Sequence, residues 1–278
     1  MPRHLSAAAF RLRLAAMAAL LVTAVVAVAR LPRVPQDPGY HRFADRRSLE
    51  GVPNLLDVVS NLPLGAAGIA GLLFAVRKKS QTLGPFSERW ERAAWGTLFA
   101  AAIATAVGSI YYHWAPDNIR LFWDRLPMAL MFMAFLAVML GERIGMRAGR
   151  VLFVPLLAIG AASVIQWRMS EAAGAGDLRF YILVQFFPML ALPLLLALFP
   201  PSYSETRGLV AAMSWYVVAK LLEWGDARVF SWGELVSGHT LKHLASAAAV
   251  YTLVRTLARR RLVVEGGLLG TTPAASAP

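Results

Sequence analysis

A helix needs about 20 mostly apolar residues to cross roughly 30 Å of hydrocarbon. This chain carries eight runs of about that length, near residues 10–30, 52–76, 91–114, 119–141, 147–167, 178–199, 207–223 and 238–258. Inside a bilayer every backbone N–H and C=O has to be satisfied within the protein, so runs of this length repeated through a chain favour packed helices. Composition agrees, since 58% of the 278 residues are hydrophobic and only 16% are charged, too apolar for an ordinary soluble domain. The expected fold class is all-α, a polytopic transmembrane helical bundle of about eight helices. The first run, "LAAMAALLVTAVVAVARL", is longer than a usual signal-peptide core and reads as an uncleaved span.

Charge placement narrows the class further. The formal net charge is +12, but Lys and Arg lie in short clusters between the apolar runs, the pattern of membrane topology and not of a nucleic-acid surface. With eight alternating crossings, one side collects sixteen Lys and Arg residues and the other nine, which puts both termini in the cytoplasm; in a bacterium the membrane would be the cell (inner) membrane. No cysteine is present, so thiolate chemistry and disulfides are excluded and His, Asp, Glu and Ser are left to carry any reaction. Three regions follow: residues 1–51 as an N-terminal span and an outer loop suited to folding over the outer face, residues 52–261 as the helical core, and residues 262–278 as a disordered tail ending in "GGLLGTTPAASAP".

An ionisable side chain within a span costs several kcal/mol unless it is paired, hydrated or coordinating, which gives the few present here weight. The third run, "AVGSIYYHWAPD", sets Ser109 four residues before His113, on one helix face. The fourth opens "IRLFWDRLPM", with Asp124 inside it, and the eighth opens "GHTLKHLASA", with His239 and His243 also four apart. Alternating crossings bring all five to one depth, near the outer face, together with Ser60 and Asn61 of "DVVSNLPL". Three neutral imidazoles with one open position are a standard catalytic zinc site, and His113, His239 and His243 are the candidate ligands. Asp124 is then a candidate general base and Ser109 a hydroxyl donor to an oxyanion.

Blander readings compete with each residue taken alone. Paired membrane histidines also join helices by hydrogen bonds, Ser109 can bond its own helix backbone, and Asp124 can pair with Arg125 or Lys242. Lys220 and Glu223, with Trp224, read as a paired belt at the end of the seventh run. Lys242 lies between the two histidines in sequence and is expected on another face, without a catalytic role. Haem is not expected, because two histidines one turn apart on one helix suit a single ion better than axial positions on opposite faces of a macrocycle.

Three stretches, "DVVSNLP", "GSIYYHWAPDNIRLFWDRLPM" and "GHTLKHLASA", resemble the alkaline ceramidase family, within a superfamily of seven-helix membrane hydrolases that also includes progestin and adiponectin receptors. The resemblance implies a seven-helix core preceded here by an extra N-terminal span. It implies zinc held by His113, His239 and His243, with Asp124 activating water and Ser109 near the carbonyl oxygen. The activity implied is hydrolysis of the amide of an N-acyl lipid of the ceramide or phytoceramide type, drawn from the bilayer. A non-catalytic zinc-containing receptor or sensor is the alternative that the superfamily offers. The chain departs from the family pattern at Arg125, where an acidic residue is usual, and at Lys242, where an aromatic one is common.

Overall fold

The computed structural model describes residues 6–77, 85–264 and 267–268. Among these the helices are α1 (Ala7–Arg30), α2 (Leu55–Val59), α3 (Leu62–Val76), α4 (Arg89–Trp114), α5 (Asn118–Arg143), α6 (Met146–Ala172), α7 (Arg179–Leu198), α8 (Thr206–Trp224), α9 (Asp226–Phe230) and α10 (Gly238–Arg259). Local chemistry sets several of the starts. Ser6, Asp117 and Ser237 each accept a hydrogen bond from a backbone N–H three residues on, and Glu88 and Glu91 form a reciprocal capping box.

The fold is the expected helical bundle. α1, α2 with α3, α4, α5, α6 and α7 are long and apolar enough to cross a membrane, six candidate spans by length and composition. α8 and α10, counted among the eight runs, have the length but not the uniform apolarity. α8 carries Arg207, Lys220 and Glu223, and α10 carries His239, Lys242 and His243. The two pack on each other, and most of these polar groups turn inward, as described below. The run at 52–76 is also broken, into α2 and α3, at Ser60 and Asn61. Pro63 follows in the first turn of α3 and has no N–H to continue the ladder.

Packing runs α10–α3–α4–α5–α7 and returns through α8 to α10, with α6 laid against α5 and α7. α7 and α8 touch only sparsely, which leaves a seam. α1 lies outside, against α7; Met17 is its one buried residue, and the Arg13 guanidinium donates to the Leu198 carbonyl. At the other end of α1, Arg179 donates to the carbonyls of Ala29 and Leu31 while forking onto Asp177.

One end of the bundle is closed by buried charge. Arg260 lies 3.3 Å from Glu91 and 3.4 Å from Glu142, with its guanidinium 4.0 Å from the centre of the Tyr203 ring. Tyr203 donates its hydroxyl to Glu91, and Arg143 pairs with Glu142 at 3.5 Å. The network ties α4, α5 and the end of α10 to the segment before α8. Beyond α10, Tyr203 bridges Leu262, and Val263–Val264 pairs with Gly267–Leu268; the rest of the segment expected to be a disordered tail lies outside the described residues.

Candidate metal centre

The site forms at the opposite end, where α4 finishes, α5 begins and α10 begins. His113 is in the last turn of α4, and His239 and His243 occupy the first two turns of α10. All three are buried, their ring centres form a near-equilateral triangle of 4.8, 4.9 and 5.0 Å, and one nitrogen from each lies within 4.8 Å of the others. The Nε2 atoms of His113 and His239 are 3.3 Å apart. The group can hold a metal ion.

Neighbouring residues fix the imidazoles. Nδ1 of His243 meets Ser60 Oγ at 2.8 Å and Asn61 Nδ2 at 3.3 Å, both at the break between α2 and α3. Because Ser60 and Asn61 also donate to the Asp57 carbonyl, the simplest assignment has His243 donating from Nδ1 to Ser60, leaving Nε2 free as a ligand. Asn54 sits at φ 49°, in the left-handed region that Asn tolerates. From there it donates 2.9 Å to the carbonyl of His113. Asp57, itself buried, accepts 2.6 Å from Thr240 in the turn between the two α10 histidines.

The loop before α2 folds over this end. Phe43 is buried with its ring centre 4.6 Å from those of both His113 and His239. Asp226 bridges the loop to α10, accepting from the backbone N–H of Ala44 at 3.0 Å and of His239 at 2.8 Å. Asp45 is forked by Arg47 at 2.7 and 2.8 Å, and these hydrogen bonds hold its pKa below the ordinary carboxylate value against the opposing effect of burial. His41, outside the predicted ligand set, is not in the triad; it bonds Tyr112 and Asn118 at 3.0 Å each.

Ser109 and Asp124 come together beside the triad, where both line one cavity with His243. Their approach depends on two residues that carry no chemistry. Pro127 cannot donate to the carbonyl four residues back, which is that of Trp123. That freed carbonyl points at Gly108, where any Cβ would collide with it. α4 and α5 therefore cross in backbone contact immediately beside Ser109 and Asp124.

A cavity of about 880 Å³ opens from this end into the bundle, lined by Asn61, Ser109, Asp124 and His243. It continues past apolar residues to Phe135 on α5 and Leu253 on α10, ten or eleven residues and so about 15 Å further along each helix. Met189 of α7 and Met213 of α8 line it at the sparse seam.

Three readings made from sequence change here. Lys242 does not lie apart from the site: it lines the same cavity and pairs with Glu223 at 2.7 Å. Lys220 pairs with the other oxygen of Glu223 at 2.7 Å, so the expected pair is present and Lys242 extends it to a half-buried triad in the cavity wall. Asp124 makes no ion pair with Arg125 or Lys242 within 4.0 Å among the described residues. Phe43 and Asp226 gave no signal in the sequence, because a loop and a short helix meet the site through tertiary contact and not through a repeating pattern.

The fold and site together define an all-helical protein with membrane-spanning segments and a buried trihistidine group able to bind a metal. No protein-family model, curated protein or solved structure matches the chain.

Proposed function

We propose that the chain is an integral-membrane, zinc-dependent hydrolase that cleaves the amide of an N-acyl lipid, of the ceramide or phytoceramide type, to a fatty acid and a free amine base. One observation carries this reading: the buried trihistidine group adjoins, through His243, a deep and largely apolar cavity that also presents Asp124 and Ser109. The separation of 3.3 Å between the His113 and His239 nitrogens matches the edge of a tetrahedron with bonds of about 2.0–2.1 Å, the zinc–imidazole length. The same residues carry the resemblance to alkaline ceramidases. A zinc ion held there supplies Lewis acidity and a water of lowered pKa.

The chain's own groups divide the remaining work. The cavity takes the acyl chain and brings the amide to its polar end, where Asp124 and Ser109 stand together. Asp124 accepts a proton from the attacking water and returns it to the departing nitrogen, so the C–O bond forms as the C–N bond breaks. Ser109 donates a hydrogen bond to the oxygen on which charge develops. In the proposed topology this end faces the outside of the cell membrane and both termini are cytoplasmic. Access for the lipid is sideways, through the seam between α7 and α8.

Asp124→Asn keeps the shape and removes the base. The expected outcome is one zinc per chain, measured by elemental analysis, with lipid-amide hydrolysis reduced at least about a hundredfold. Unimpaired turnover in the variant would refute the assignment. Zinc bound by the wild type without turnover of any lipid amide or ester would point to the receptor or sensor role instead.

A further inference from the structure

Arg125 follows Asp124 on α5 and is 5% exposed, yet among the described residues it forms no hydrogen bond and no ion pair within 4.0 Å. Three aromatic rings surround it, with Cζ lying 4.5 Å from the ring centre of Trp167, 4.9 Å from Tyr181 and 5.2 Å from Tyr40. Its Nη1 is sealed from solvent without an acceptor. Cation–π contacts stabilise the charge but satisfy none of the five N–H donors that a guanidinium carries in its plane. A buried charge lacking acceptors is unfavourable, and it lines the cavity that holds Asp124.

The other cations of that wall are already committed. Lys220 and Lys242 share the two oxygens of Glu223 at 2.7 Å each. Arg125 is therefore the cation in the cavity wall whose donors remain unspent, one residue from the candidate base.

We infer that Arg125 binds an anionic oxygen group, a carboxylate or phosphate, carried by the substrate next to its scissile amide. The three rings fix the guanidinium in orientation, so that its planar donor fork meets two oxygens at once, a match that a neutral hydroxyl cannot make. The substrate class narrows accordingly to N-acyl lipids with an acidic headgroup. This assignment rests on the reading of the cavity as an N-acyl lipid site and revises the headgroup, from the neutral one of a ceramide to an acidic one.

The test compares two ligands with the same acyl chain and amide, N-oleoylglycine and N-oleoylethanolamine, which end in a carboxylate and a hydroxyl. Binding and hydrolysis are measured separately on the full-length purified protein in micelles. The wild type is expected to bind N-oleoylglycine more tightly by on the order of tenfold to a hundredfold. Arg125→Gln collapses that ratio towards one, and Arg125→Lys, which keeps charge but not the fork, retains part of it. Equal binding of the two ligands by the wild type overturns the assignment without any variant, and so does a preference that survives in a folded Arg125→Gln. Oleate is the third arm: binding as tight and as Arg125-dependent as that of N-oleoylglycine would mean that the arginine reads the fatty-acid carboxylate, which overturns the headgroup assignment. A preference for N-oleoylglycine without hydrolysis of either amide would refute the hydrolase and leave the anion site standing.

Discussion

His243 illustrates how a single residue is prepared for its part. An imidazole is a defined ligand only when its second nitrogen is committed, and here Ser60, at a helix break, commits Nδ1 by accepting from it. Ser60→Ala removes this contact and leaves the backbone unchanged. Its expected effect is a 10- to 100-fold loss of metal affinity, measured by competition with a chromophoric chelator, and unchanged affinity would show that Ser60 does not orient the ring. The depth of Ser60, Asn61, Ser109, His113, Asp124, His239 and His243 was legible in the sequence, since helical spacing and alternating crossings fix it. The facing of Lys242 was not. A side chain as long as lysine is directed by its partner, and Glu223 lies nineteen residues away on another helix.

At the scale of elements, the crossing of α4 and α5 places the two proposed proton-handling groups. Gly108→Ala inserts a methyl against the carbonyl of Trp123. A loss of about 1–3 kcal/mol in stability is expected from overpacking. Because a shift near 1 Å at a reacting group costs about a hundredfold, turnover should fall by about that factor while the three histidines still bind metal. Equal loss of metal and turnover would mean that the crossing supports the whole end of the bundle and not Ser109 and Asp124 in particular. Neither Gly108 nor Pro127 is distinguishable in the sequence from the other glycines and prolines of the spans, because what singles them out is each other.

The brace between α1 and α7 gives a pH test outside the membrane-spanning helices. Arg179 holds the pKa of Asp177 below its ordinary value, chiefly through the side-chain hydrogen bond. The unfolded chain takes up the proton first as pH falls, so the contribution of the pair is complete above about pH 3.9, the unfolded value. It is lost as pH drops through the lower folded value. The difference in unfolding temperature between wild type and Asp177→Asn should therefore be constant near neutrality and shrink below about pH 4. A difference that does not change in acid would show that the pair contributes nothing through its charge.

Considered whole, the molecule is fixed at one end and loosely held along one side. The ion network around Arg260 locks three long helices together, while the seam between α7 and α8 has little holding it. Bundle, helix count and trihistidine site were all legible from spans and spacing. The seam was not, because hydropathy shows that a segment is buried in something apolar without showing whether that is lipid or a neighbouring helix. The same limit made α8 and α10 look like ordinary spans, although their polar residues face a cavity that no one-dimensional pattern reveals.

The Phe43 ring bears on traffic as well as packing. It covers two of the three imidazoles on the side of the loop, and the remaining approach runs through an apolar cavity that a hydrated ion disfavours. Exchange of the metal should then wait on withdrawal of the loop, making it a gated, first-order process. Loss of metal to an added chelator is expected to reach a plateau rate as chelator concentration rises, and Phe43→Ala should lift that plateau about tenfold or more, the factor that roughly 1.4 kcal/mol of lost packing represents. A rate that climbs in proportion to chelator without limit would mean that the door was never shut.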